Sequence, residues 1–91
     1  MKSLPDSVIF HRSTPEFNET SVPVALTRDH TTAAGVWAKI NVIEGALTYC
    51  ITGEVPERHK LTAGVDGIIE PQVKHFVDVS GPVRFRVDFY R

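Results

Sequence analysis

Apolar residues that alternate one by one, broken every few positions by glycine or proline, most constrain this chain. Val83, Phe85, Val87 and Phe89 share one parity near the C-terminus, with Arg84, Arg86, Asp88 and Tyr90 on the other. Period-two patterning is the mark of a β-strand with one face buried. No window carries the three-to-four residue spacing of an amphipathic helix. Val22, Val24, Leu26, Arg28 and His30 alternate in the same way, which predicts a strand over 22–30, with Pro23 near its start. Residues 36–43 read as a strand with Val36, Ala38, Ile40 and Val42 on one face and Trp37, Lys39, Asn41 and Ile43 on the other. Glu44-Gly45 reads as a tight turn into a partner strand bearing Leu47, Tyr49 and Ile51.

Further along, residues 53–60 read as a polar loop, and Leu61 as the start of a strand ended by Gly64. Asp66-Gly67 reads as a turn, followed by Ile68-Ile69-Glu70, Pro71, and a strand over 75–79. On that strand His75 shares the parity of Val77 and Val79 and so points at an apolar interior. Seven or eight short strands with regular turns predict an all-β antiparallel sandwich or small barrel.

The 91 residues suit one domain, 1–91, and the formal charge of -1 gives nucleic-acid binding no electrostatic support. A single cysteine, Cys50, excludes both a disulfide framework and a multi-thiolate zinc site and points to a reducing compartment. The first residues lack the apolar core of a signal peptide, and no apolar run approaches a membrane span. The expectation is a cytoplasmic protein with no membrane partner. A domain this small has little stability margin, so a homodimer is a candidate assembly.

RDHTTAAGVWAKINVIEGALTY (28–49) and IIEPQVKHFVDV (68–79) resemble the TehB/YeaR-like domain family, and HRSTPEF (11–17) with VRFRVDFYR (83–91) extends the resemblance over nearly the whole chain. The resemblance implies a cupin-like double-stranded β-helix associated with tellurite resistance. In some relatives this domain precedes a methyltransferase domain that uses S-adenosylmethionine. This chain has no glycine-rich strand–turn–helix segment for that cofactor, so methyltransferase activity is not expected of it.

Cupins that bind metal hold it with His-x-His and a glutamate from one motif and a histidine from another. By this resemblance His30 stands for one first-motif histidine and His75 for the second-motif one, while Arg28 and Ala38 occupy ligand positions without being ligands. A divalent ion, zinc or iron, would need a third ligand. Glu70, five residues before His75, Glu44 and Asp88 are the candidates, and Arg86 beside Asp88 offers that carboxylate an ion pair instead. Trp37, Lys39, Glu70 and Gln72 would shape the pocket. His11 and His59 read as solvated, and Cys50 as a small buried hydrophobe. Three readings follow: a binding or sensing module for a small molecule or oxyanion; a metal-dependent cupin enzyme in which Glu70 and His75 could also act as acid and base; and an interaction domain whose histidines are structural.

Overall fold

One strand of 15 residues, Trp37–Ile51, organises the molecule. The computed structural model describes residues 1–91. In chain order the elements are β1 (Phe10–Ser13), β2 (Phe17–Asn18), a 3₁₀ turn (Val24–Thr27), β3 (Trp37–Ile51), β4 (Glu57–Thr62), β5 (Gly67–Ile69), β6 (His75–Asp78) and β7 (Val83–Tyr90). Every strand pairing is antiparallel. The fold is therefore all-β, with one short 3₁₀ turn as its only helical piece. No helix is long and apolar enough to cross a membrane.

The hairpin expected around Glu44-Gly45 does not form; β3 runs straight through it. Val42 pairs with Phe85 and Glu44 with Arg84, so Ile43 is an extra residue on β3, a β-bulge. One extra residue inverts which parity faces inward. Ala38, Ile40 and Val42 are buried before the bulge; Leu47, Tyr49 and Ile51 are buried after it. The parity switch that resembles two strands is thus one strand bent. Gly45 takes φ +74 just beyond the bulge. The first half of β3 lies between β7 and β5, and the second half between β4 and β6.

Three more expectations are corrected. The segment 22–30 is not a strand. Pro23 opens a 3₁₀ turn in which the Leu26 amide donates to the Pro23 carbonyl at 3.0 Å, and only His30, at the end of the segment, bridges to a strand. Residues 57–60 are strand rather than loop, because β4 pairs with β3 from Glu57 onward. The turn after β4 lies at Ala63-Gly64, while Gly67 is already in β5, opposite Ile40. A side chain at Gly67 would run into Leu61 and Tyr49.

The core packs the inward faces of β3 and β7 against Leu61, Ile69 and Val77. Phe85 is fully buried. Burial of a side chain of this size stabilises by about 1.5–3 kcal/mol. The closing strand matches its alternation: Val83, Phe85 and Val87 are buried and Arg84 is exposed. On its other face the Asp88 carboxylate is buried too, accepting from the Ser13 hydroxyl at 2.6 Å and from Arg86 Nε at 3.0 Å. Burial works against that charge, but these two bonds outweigh it and hold the carboxyl below its ordinary range.

Candidate functional site

His75 opens β6, whose pairing with β3 sets it opposite Ile51 and turns it inward with Val77. The chain leaving the 3₁₀ turn passes alongside, and His30 and His75 form an isolated antiparallel bridge. Each amide donates to the other's carbonyl at 3.0 Å. The Gln72 amide donates to the Thr32 carbonyl at 3.2 Å, and the Thr52 hydroxyl to Asp29 at 3.0 Å, tying the segment down further.

The two imidazole centroids lie 4.1 Å apart, with the ring planes inclined by 59°. Each ring places Nδ1 2.8 Å from the backbone carbonyl two residues earlier, Arg28 for His30 and Val73 for His75. A carbonyl oxygen only accepts, so Nδ1 carries the proton in both rings and each neutral imidazole keeps its lone pair on Nε2. The His75 Nε2 is buried without a hydrogen-bond partner. Leaving such an acceptor unsatisfied costs about 1–3 kcal/mol. Burial pushes the His75 imidazole below its ordinary range, the Val73 carbonyl opposes this, and His30 adds to it.

Both histidines line a cavity of about 170 Å³ whose wall is formed by Ile40, Ile69, Val77, Phe85 and Val87, with Leu26 from the 3₁₀ turn. Two of its threonine hydroxyls are committed to backbone. Thr14 donates to the Pro15 carbonyl and accepts the Val87 amide, and Thr32 donates to the Val36 carbonyl. The cavity is thus mostly apolar, with the two imidazole rings and the Thr31 side chain as its other polar lining.

The structure joins His30 and His75 but supplies no third ligand. No group of three or more His, Cys, Asp or Glu side chains converges in the chain. Glu70 turns to Lys2 at 3.4 Å, Glu44 is exposed at the bulge and paired with Arg84, and Asp88 is engaged by Ser13 and Arg86. The residues present do not fit the three-ligand ion that the cupin resemblance implies. The expected pocket shapers are also displaced. Trp37 and Lys39 have the outward parity of β3 before its bulge, with Lys39 Nζ 5.8 Å from the Tyr90 ring, and neither lines the cavity. Gln72 sits in a turn at φ 61, also off the cavity wall.

His59 is not free in solvent: its Nε2 lies 2.8 Å from Glu57. Cys50 is buried between Arg58 and Phe76 of the flanking strands, and its thiol is raised by burial against the pull of Arg58. The Tyr49 hydroxyl donates to the Ile68 carbonyl at 3.0 Å, and its ring meets His75 edge-on at 5.8 Å. The wall residues of β7 were detectable as the apolar parity of that strand. Leu26 shares the parity of His30 in the sequence, whereas nothing there marks Thr14 as facing the same space.

A family model described as a TehB-like domain matches residues 12–87. Among solved structures, a protein from E. coli strain K12 aligns with TM-score 0.87 at 24% identity, over 100% of this chain and 97% of that one. TehB from Haemophilus influenzae aligns with TM-score 0.83 at 26% identity, over 93% of this chain and 32% of that one, so this chain spans about a third of that protein. No curated protein matches. The family model covers most of the sequence, and the chain belongs to the TehB-like domain family.

Proposed function

We propose that this chain is a small-molecule-binding or sensing module, serving the tellurite and oxidative-type stress responses with which its family is associated and having no methyltransferase activity of its own. The observation that carries this reading is that the His75 ring lines an apolar cavity while its Nε2 is buried without a protein partner. An acceptor without a protein partner, in a ring that lines a cavity, is a place for a ligand's hydrogen bond. The bent β3, shared between two groups of strands that close around the same space, supports reading the architecture as a cupin-like double-stranded β-helix.

Methyl NMR on untagged protein tests the proposal. A chemically diverse set of small molecules should contain some that shift the Ile40, Ile69, Val77 and Val87 methyls in a saturable way. A set that leaves all of these unmoved, while the fold is intact, overturns it.

A further inference from the structure

We infer that the cavity takes a neutral molecule of about the size of a benzene ring, carrying an O–H or N–H that it donates to His75 Nε2, and that it rejects ionised oxyanions. This rests on the small-molecule-binding reading above and names its ligand class.

The size follows from the volume. A dry apolar cavity of about 150 Å³ admits benzene. The 170 Å³ here holds such a ring with one small substituent. The polarity follows from the tautomer. His75 Nδ1 already gives its proton to the Val73 carbonyl at 2.8 Å, so Nε2 offers a lone pair and nothing to donate. A ligand O–H or N–H completes that atom; an ionised oxygen would set lone pair against lone pair. His30 repeats the arrangement, with its Nδ1 held by the Arg28 carbonyl, so the neighbouring ring also presents an acceptor.

No lysine or arginine lines the cavity to compensate an anion. The Thr14 and Thr32 hydroxyls are spent on backbone carbonyls, Thr31 adds one neutral hydroxyl, and the rest of the wall is imidazole, aliphatic or aromatic. Moving an unpaired charge into such surroundings is strongly unfavourable. The oxyanion of tellurite therefore has no place in this cavity.

Four probes decide the matter at about pH 7.5, where a phenol is neutral: phenol, toluene, benzoate and potassium tellurite. Each is titrated into ¹⁵N-labelled, untagged protein while the cavity methyls and the His75 imidazole nitrogens are followed. Phenol should shift the methyls and move Nε2 with Nδ1 unchanged, and should bind about tenfold tighter than toluene, the worth of one hydrogen bond to a buried acceptor. Benzoate and tellurite should leave the cavity unmoved. If toluene binds as tightly as phenol, or either anion matches it, the ligand class is wrong while the binding reading stands. If no probe moves any cavity methyl, this ligand class is overturned, and the diverse set above decides the binding reading. In His75→Phe the preference for phenol over toluene should vanish, and its persistence would overturn the inference. Should that variant not fold, the wild-type Nε2 resonance decides alone: no movement at saturating phenol rejects the assigned bond.

Discussion

His30 and His75 exchange both backbone hydrogen bonds of an antiparallel bridge, and each ring is pinned through Nδ1 to the carbonyl two residues before it. The same local device, used twice, fixes the tautomers of two rings that line one cavity. It is a backbone arrangement, and the site therefore depends on register. A slip of one residue in β6 would send His75 outward and Phe76 in.

The first prediction concerns pH. An imidazole in the unfolded chain titrates near about 6.5. His75 titrates lower in the folded protein because burial disfavours its charged form. Between the two values the unfolded chain binds more protons, so stability falls as pH drops through about 6.5. The groups facing this ring are His30, Asp29 and Tyr49. Urea midpoints should decrease from about pH 7.5 to about pH 5.5, and His75→Phe should remove most of that slope. An equal slope in the variant would assign it elsewhere. Asp88, whose carboxyl is held low, loses stability in the same direction but further down, in the carboxylate range.

The inward direction of His75 and its company with His30 were legible in the sequence, the first from parity with Val77 and the second from family resemblance. The strand over 83–90 was equally plain, since its alternation is unbroken. The segment 22–30 misled because alternation implies a strand only where a partner strand is available. Val24, on the expected inward parity, is exposed, and the Thr27 hydroxyl returns to the Val24 carbonyl at 2.7 Å. The pocket shapers misled for a related reason. Trp37 and Lys39 share one strand face, but the face that meets the cavity is that of Ile40.

Glu44-Gly45 misled most, because a bulge and a hairpin turn draw on the same residues. The distinction has a stability consequence. Gly45 lies at φ +74, and a Cβ there would collide with the backbone carbonyl of Pro82. Gly45→Ala combines left-handed strain with a clash that backbone cannot relieve cheaply. A loss of about 2–4 kcal/mol in chemical denaturation is expected. A loss below about 0.5 kcal/mol, the range of an ordinary surface change, would show that the bulge is not built as described.

Asp88 offers a second energetic test. Its carboxylate bridges β1, through Ser13, to Arg86 on its own strand. Asp88→Ala leaves the Ser13 hydroxyl and the Arg86 guanidinium without this acceptor, at a cost of about 1–3 kcal/mol, and Ser13→Ala should cost about 1 kcal/mol. Because the two residues share one bond, the double variant should lose less than the sum. Strict additivity would mean that the bond contributes nothing.

The last prediction addresses the ion that the cupin resemblance suggests. Two imidazoles are two donors, and structural zinc takes four while catalytic zinc takes three protein ligands and water. Glu70 would have to leave Lys2 and reach the histidine pair, and no third His, Cys, Asp or Glu stands with them. Protein purified without a histidine tag should therefore carry far less than one zinc or iron per chain. Added zinc should raise the melting temperature little, because stabilisation by a ligand grows only as its concentration exceeds the dissociation constant. His30→Ala and His75→Ala should not change what little metal is retained. Stoichiometric metal in the untagged protein, lost in both variants, would instead mean that a third ligand joins the pair on binding.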